Sequence, residues 1–184
     1  MAYDSAATRT RLVDAAYTEF AEYGFAGARV ERIAKEAGAN KQAIYLYFTS
    51  KEGLFDAVLE ARLGILADQV PYTPTDLSGY IGALFDHMVE HPDLVRLTQW
   101  KLLERPDATD LEVRSHVSKA EDLAHAFGVD AARGMDVLML ALAMAQAWTT
   151  TSPLVSSMGV APDQRLLQHR AALIDAVTAV CRNL

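Results

Sequence analysis

The chain has little of what marks secreted, disulfide-bonded or membrane proteins. Its 184 residues include a single cysteine, Cys181, which excludes an internal disulfide and fits a reducing compartment. The longest uninterrupted apolar run, Val137 to Ala145, is far too short to cross a membrane. The N-terminus carries no apolar segment of the kind that secretory signals contain. We therefore expect a cytoplasmic protein that makes no contact with a membrane.

Glycine and proline are also scarce, at ten and six residues, and alternation of β-branched residues is almost absent. Hydrophobic residues make up 51% of the chain. Long apolar-periodic stretches with few breakers favour helices. The length permits one domain or a small domain joined to a larger one. The sequence predicts an all-α fold without internal repeats.

The clearest local pattern lies in residues 29–55. Val30, Ile33, Ala34 and Ala37 fall at i, i+3, i+4 and i+7, which places them on one apolar face of an amphipathic helix. Charged residues occupy the other face. The segment therefore begins with a short surface helix.

A glycine turn separates this helix from a second one. Gly38 follows the last periodic residue, where a helix commonly ends in a left-handed conformation. Asn40 can cap a helix over residues 41–47, with Ile44 and Phe48 pointing inward. Helix, glycine turn and short helix form the helix-turn-helix pattern, whose second helix enters the major groove of DNA.

An ordinary pair of packed helices would show the same spacing, so the exposed side chains must distinguish the two interpretations. Residues 29–51 contain five basic and two acidic side chains, although the chain has a net charge of −7. Lysine, tyrosine and helix N-termini bind phosphates, and glutamine and lysine read base edges. These residue types favour DNA binding. The next helix begins at Thr49 or Ser50, either of which can cap it.

Four short motifs together resemble the DNA-binding end of the TetR family of bacterial transcription regulators. They are the Gly24-Phe25 pair, IAKEAG at 33–38, IYLYF at 44–48 and SKEGLF at 50–55, after a first helix from about Thr8 to Tyr23. The resemblance implies a three-helix helix-turn-helix domain over residues 1–50. A helical ligand-binding and dimerisation domain would then occupy residues 51–184. One departure is Arg29, where the family usually has threonine at the start of the second helix.

The resemblance also implies which side chains contact DNA. One group would face base edges: Lys41, Gln42 and Ala43. A second group would contact the DNA backbone: Tyr45, Tyr47, Lys51 and, as a helper, Arg29. Asn40, at the cap of the same helix, completes the predicted DNA-binding set.

Charge is distributed unevenly along the chain. Residues 1–50 contain six basic and six acidic side chains, so the remaining 134 residues carry the whole net charge of −7. DNA repels such an acidic body. Binding would depend on a small local basic surface and on two copies docking together. We expect a steep dependence on salt and weak affinity for random DNA.

The last two predicted helices indicate a homodimer. The helix over residues 131–150, capped by Asp130, is apolar almost all round and must be buried on several sides. After a loop at residues 153–162, the final helix repeats apolar residues every seven positions: Leu166, Leu173 and Val180. TetR-like proteins pair through these two helices. A two-fold dimer would read a near-palindromic, double-stranded DNA operator.

The middle helices would enclose a pocket for a small, largely apolar effector. Methionine and tryptophan provide an adaptable lining. The candidates are Phe85, Met88, Trp100, Leu103, Leu123, Phe127, Met139, Met144 and Trp148. Taken singly, each fits a plain core role better; as a set they suit the family's habit of binding effectors here. Effector binding would favour a dimer whose recognition helices no longer match the groove.

One competing motif points to an enzyme. His87, Glu90 and His91 match H-x-x-E-H, the inverted zincin pattern. Pro92 suggests that His91 sits at a helix end, and a zinc enzyme would need a third ligand and a cleft. We therefore expect no metal, no cofactor and no catalysis. A metal-dependent hydrolase and a helical interaction protein without DNA binding remain the alternatives, and the effector, the operator and the sense of regulation stay open.

Overall fold

The computed structural model describes residues 2–155 and 161–184, with side chains at 5–151 and 161–184. Within these ranges the helices are α1 (Ala2–Gly27), α2 (Val30–Glu36), α3 (Lys41–Phe48), α4 (Lys51–Gln69), α5 (Leu77–Glu90), α6 (Pro92–Glu104), α7 (Asp110–Phe127), α8 (Ala131–Val155) and α9 (Pro162–Arg182). A single 3-10 turn, Pro74–Asp76, precedes α5. The all-α prediction is confirmed. None of the described helices combines the length and hydropathy that crossing a membrane requires.

The chain forms two compact units, one of residues 1–66 and 91–107 and the other of residues 67–90 and 108–184. These units cut across the predicted boundary at residue 50. The start of α4 and all of α6 join the first unit because Leu54 and Leu97 are fully buried in its core. The functional division into a DNA-binding part over residues 1–50 and an effector part over residues 51–184 stays a prediction.

In the first unit, the apolar faces of α1 to α4 and of α6 meet in a single core. Its largest fully buried members include Leu12, Phe20, Ile33, Ile44, Leu54, Phe55 and Leu97. The rings of Phe20 and Phe55 meet edge to face with centroids 4.9 Å apart, and Phe25 contacts Phe55 at 5.4 Å. Interlocked rings of this kind give α2 and α3 a rigid base.

Helix α1 bends at Gly24, which has φ +70° and ψ 179°, a region that glycine alone adopts readily. The predicted helix end at Gly24 is thus a kink, and the helical turn after it extends to Gly27. At its other end the helix begins at Ala2, not Thr8. The alanine-rich start favours helix more strongly than the apolar period alone indicates.

The ends of α7 and α8 follow local signals. Gly128 after α7 is left-handed with φ +68°. The predicted cap of α8 is present, because the Asp130 side chain accepts from the backbone N–H of Arg133 at 2.8 Å. The expected end of α8 near Thr150 is wrong, because the helix continues to Val155. Threonine hydroxyls of its last turns donate to carbonyls three and four residues earlier in the helix. Of the predicted loop, residues 156–160 lie outside the described residues.

In the second unit, α5 packs against α8 and α9, and α7 packs against α8. Small residues permit the close crossings: a Cβ on Gly134 would lie 2.4 Å from the carbonyl oxygen of Ala120, and one on Gly82 would lie 3.2 Å from Ile174. An ion pair of 2.7 Å between Arg170 and Asp86 joins α9 to α5. The core residues include Leu77, Ile81, Phe85, Leu123, Leu138 and Val177.

Candidate functional site

The turn between α2 and α3 has the geometry that the sequence predicts. Gly38 is left-handed with φ +61°. The Asn40 side chain accepts from the backbone N–H of Ala43 at 2.9 Å, which satisfies one of the free donors at the start of α3. Ile44 and Phe48 are buried. The opposite face of α3 therefore points away from the core of its unit.

This outer face of α3 carries the predicted base-reading residues. Lys41 and Gln42 are exposed and Ala43 is half-buried. Leu46, four residues after Gln42 on the same stripe, is 80% exposed. The sequence interpretation missed Leu46, although its spacing from Gln42 and from buried Ile44 was a usable signal. Apolar side chains at such positions contact thymine methyl groups.

The predicted backbone-contacting residues border this face. Tyr45 is 45% exposed. Tyr47 is half-buried, and its hydroxyl donates to Ser5 Oγ at 3.1 Å. The ammonium of Lys51 lies 4.8 Å from the centre of the Phe25 ring. These contacts orient the side chain of Tyr47 on α3 and that of Lys51 at the start of α4.

Arg9 is a cation that the sequence interpretation did not assign. It lies near the start of α1, is exposed, and its guanidinium sits 5.2 Å from the centre of the Phe48 ring, which is the last residue of α3. Only the folded structure brings it to this end of the first unit. Arg9 adds a positive charge near the end of α3.

The structure explains the departure at Arg29. This N-cap residue has extended backbone and makes no side-chain cap of its own. Instead the carboxylate of Glu19, only 8% exposed, accepts from the Arg29 backbone N–H and from Arg32 Nε, each at 2.8 Å. The hydrogen bond to Glu19 raises the pKa of Arg32. A buried acid on α1 thus binds the N-cap residue's own backbone N–H, while α2 starts without a side-chain N-cap, and the Arg29 side chain is exposed.

An ion pair links the two helices of the motif. Lys41 Nζ lies 2.6 Å from a carboxylate oxygen of Glu31 on α2. Hydrogen bonding to Lys41 lowers the pKa of Glu31, and the same bond raises the pKa of Lys41. Both residues stay charged at neutral pH. Any DNA group that Lys41 contacts must therefore compete with Glu31.

The start of α4 is settled in favour of Ser50. Its hydroxyl accepts from the backbone N–H of Gly53 at 3.1 Å. Thr49 instead ends α3, with a positive φ of 67°. The helix that carries Lys51 is therefore capped one residue before it.

The predicted effector residues fall in both units. Seven are in the second: Phe85, Met88 and Leu123 are buried, Phe127, Met144 and Trp148 are half-buried, and Met139 is 38% exposed. Phe85 and Trp148 both contact the imidazole of His169, at 5.6 and 5.1 Å between ring centres. Phe127 instead borders a separate open cleft of about 210 Å³ beside Thr178 and Cys181.

Trp100 and Leu103 lie on α6 in the first unit. The ring of Trp100 rests on Gly24, so that a Cβ there would come within 2.9 Å of it. Leu103 is 75% exposed. Their assignment to an effector pocket stays a prediction.

The H-x-x-E-H motif does not form a metal-binding face. His87 is buried within α5, Glu90 is the last residue of that helix, and His91 is the non-helical N-cap of α6. Helix α5, which carries His87, ends at Glu90, so His91 lies outside it and the two histidines are not i, i+4 residues of one helix. Among the described residues, no group of three metal-ligating side chains occurs.

Helix α3 has a capped N-terminus and an exposed polar face, and it follows α2 after a glycine turn. This arrangement, in a chain with a second helical unit, defines a helix-turn-helix DNA-binding regulator. The profile described as bacterial regulatory proteins, tetR family, matches residues 12–58, and that of the tetracyclin repressor-like C-terminal domain matches residues 76–178. The chain belongs to the TetR family of transcription regulators. Members of this family are not enzymes, which removes the hydrolase alternative.

Among curated relatives, the transcriptional repressor SCO4008 of Streptomyces coelicolor is 39% identical over 160 residues, covering 83% of each chain. Among solved structures, SCO4942 of the same organism, described as a transcriptional regulator, superposes with a TM-score of 0.80 at 36% identity, covering 94% of this chain and 97% of the other. FadR from Bacillus subtilis has a TM-score of 0.69 at 18% identity, covering 91% and 96%. The FadR likeness shows the fold alone.

Proposed function

We propose that this protein is a cytoplasmic repressor that binds a near-palindromic operator as a homodimer and is released by a small, largely apolar effector. The observation that carries the proposal is the exposed polar face of α3, with Lys41 and Gln42 beside a capped N-terminus. The 39% identical relative named a transcriptional repressor supports the sense of regulation.

Each DNA-binding residue has a role that its surroundings support. Gln42, being exposed at the start of α3, reads a base edge by paired hydrogen bonds. Lys41 supplies a base contact or a phosphate contact once it leaves Glu31, and Ala43 allows close approach of the helix. Tyr45, Tyr47, Lys51 and Arg29 bind phosphates, which orients α3 in the groove. Asn40 holds the helix start.

Exposed apolar residues on α8 and α9 support pairing of two copies. Leu140 is 57% and Leu167 is 67% exposed. Together with the apolar character of α8 and the heptad spacing of α9, these exposed leucines support α8 and α9 as the pairing surface. Leu173 is the middle one of the three apolar residues spaced seven apart on α9, and it is buried within its own subunit. The dimer contact therefore uses residues on the exposed face of α9.

The effector would act through the population of two dimer states. A ligand that binds among α5, α8 and α9 shifts the equilibrium only by its difference in affinity for the DNA-bound and released forms. The contact of Phe85 and Trp148 with His169 joins these three helices. A ligand there would change the relative positions of α8 and α9, and hence the dimer geometry.

Selection of bound DNA from a random duplex pool tests the DNA-binding part of the proposal. We expect enrichment of a near-palindrome, with affinity that falls steeply with salt. Gln42→Ala should bind the selected site about tenfold more weakly, because it loses a bidentate base contact. Gln69→Ala, an exposed glutamine at the end of α4, serves as the matched control and should bind normally.

Two results would contradict this function. Absence of any enriched sequence would favour the helical interaction protein that does not bind DNA. Strong binding to random DNA at physiological salt would contradict the dependence on paired recognition helices. If DNA is selected, a thermal-shift screen of small apolar compounds identifies ligands of the folded state. We expect the compounds that raise the melting temperature to release the selected DNA.

A further inference from the structure

His169 lies between two aromatic residues that sequence alone assigns to the effector pocket. Its ring centre is 5.6 Å from that of Phe85 on α5 and 5.1 Å from that of Trp148 on α8. Interplanar angles of 34° and 50° place the imidazole in tilted contact with both rings. Three helices of the second unit therefore fix the position of this one polar side chain.

The Nε2 atom of His169 is buried and makes no hydrogen bond to any residue in the ranges 2–155 and 161–184. A buried polar atom without a hydrogen-bond partner lowers the stability of the folded state by about 1–3 kcal/mol, because its hydrogen bond to water is not replaced. Folded proteins seldom retain such atoms without a functional or structural reason. A ligand atom that bonds to Nε2 would remove this penalty.

The charges around His169 indicate what kind of ligand group would fit. Arg170 is already paired with Asp86 through three hydrogen bonds of 2.7 to 2.9 Å. Arg165, one turn before His169 on α9, forms no ion pair within the described part of the chain, and it is half-buried. Burial and the positive charge of Arg165 lower the pKa of His169. The imidazole is therefore neutral at physiological pH and can donate one N–H.

We propose that His169 and Arg165 bind the carboxylate of a planar aromatic effector whose ring packs against Phe85 and Trp148. This assignment rests on the proposed effector-regulated function and narrows it to aromatic acids. His169 Nε2–H donates to one carboxylate oxygen, and the Arg165 guanidinium pairs with the carboxylate charge. The aromatic side chains supply the apolar contact area for the ring.

The test uses three naphthalene probes that differ in one group: 2-naphthoate, 2-naphthol and 2-naphthylmethylamine. Calorimetric titration of the full chain should show tightest binding for 2-naphthoate. His169→Phe keeps the ring packing and should weaken 2-naphthoate binding about tenfold, the effect of one lost hydrogen bond. Arg165→Gln should weaken 2-naphthoate binding and leave 2-naphthol unchanged. His125→Phe, at an exposed position on α7, should leave binding of all three probes unchanged.

Stability and association distinguish a ligand-binding role from a structural one. His169→Phe removes the unpartnered atom, so its melting temperature without ligand should equal or exceed that of the parent. A large loss of stability with unchanged 2-naphthoate affinity would overturn the proposal. A shift from dimer to monomer in His169→Phe would also overturn it, because Nε2 would then bond across the subunit interface.

Failure of this inference can be told apart from failure of the proposed function. If DNA is selected and other compounds release it with no effect of His169→Phe, the assignment of His169 is wrong and the regulator remains. If 2-naphthoate binds as expected but no DNA is selected, the ligand site stands and the repressor function fails. Tighter binding of 2-naphthylmethylamine than of 2-naphthoate would overturn the acid specificity.

Discussion

At Gly24 the backbone turns with φ +70° directly beneath the indole of Trp100. Two separate effects keep this position as glycine. The backbone region is one that side-chain-bearing residues adopt only with strain, and a Cβ would lie 2.9 Å from two ring carbons of Trp100. The absence of a side chain at this one residue therefore permits the close approach of α6 to α1.

Gly24→Ala should lower the free energy of unfolding by about 2 kcal/mol or more, since backbone strain alone contributes about 1–3 kcal/mol. Urea unfolding followed by circular dichroism measures the change. Gly64→Ala is the matched control, because Gly64 is helical and no heavy atom lies within 4 Å of its added Cβ. That substitution should stabilise the protein by up to about 1 kcal/mol. Equal effects of the two substitutions would refute this account of Gly24.

At the scale of elements, the start of α2 depends on a residue from another helix. Glu19 lies one turn before the kink in α1, and its carboxylate accepts the N–H of Arg29 and the guanidinium of Arg32. Arg32 also packs on the ring of Tyr23, 4.3 Å from its centre. The orientation of α2, and through it that of α3, is thereby tied to α1.

Glu19→Ala should destabilise the fold by about 1–3 kcal/mol, because it leaves the part-buried backbone N–H of Arg29 without its acceptor and removes the ion-pair partner of Arg32. Glu19→Gln keeps one oxygen acceptor, so it should reduce the stability of the fold by less than Glu19→Ala does. DNA affinity, measured at a temperature where the variants stay folded, should fall in the same order. Glu22→Gln, an exposed acid on the same helix, should change stability by less than about 0.5 kcal/mol. An Ala variant as stable as the Glu22 control would disprove the role of Glu19 as a cap.

Removing the acid of the Glu31–Lys41 pair should strengthen DNA binding, whereas removing Glu19 should weaken it. Glu31→Gln releases Lys41 and removes a negative charge near the phosphates, so affinity should rise by about twofold to fivefold at low salt. Glu36→Gln removes the other acid of residues 29–51 and serves as the control for charge alone. Fluorescence anisotropy over a range of salt concentrations compares them. Equal gains for the two variants would show that the ion pair does not restrain Lys41.

The sequence predicts a helix end correctly when the residues that cause it are neighbours in the chain. Gly38 and Asn40 act on their own turn, so the sequence places the start of α3 correctly. Thr49 and Ser50 are both good N-cap residue types, and the choice between them depends on the left-handed backbone of Thr49, which the sequence does not show. Glu19 caps a helix ten residues away, and no period or motif reveals such a contact.

In the candidate sites too, the sequence predicts features that depend on neighbouring residues and does not predict contacts between distant ones. The exposed face of α3 follows from the spacing of its buried Ile44 and Phe48. In contrast, no helical period shows that Trp100 packs on Gly24 or that His169 meets Phe85 and Trp148. These contacts depend on which helices become neighbours, which is a property of tertiary packing.

At the scale of the whole molecule, the net charge and the exposed helix faces favour the proposed dimer. With a net charge of −7, a single subunit offers DNA one short helix and a few cations, which gives weak binding. A two-fold pair doubles the contacts and adds the spacing of half-sites as a source of specificity. Loss of pairing should therefore reduce operator binding far more than it reduces the stability of each subunit.

Charged substitutions on α8 and α9 test this coupling. Leu140→Glu and Leu167→Glu each place a carboxylate on an exposed leucine of the proposed dimer face, where burial against a second copy would leave the charge unpaired. We expect sedimentation velocity to show monomers and affinity for the selected palindrome to fall at least a hundredfold, with little change for an isolated half-site. Leu102→Glu is the matched control, because Leu102 is 66% exposed but lies on α6 in the first unit. It should remain dimeric and bind normally. If the α8 and α9 variants stay dimeric with full affinity, the subunits pair through some other surface.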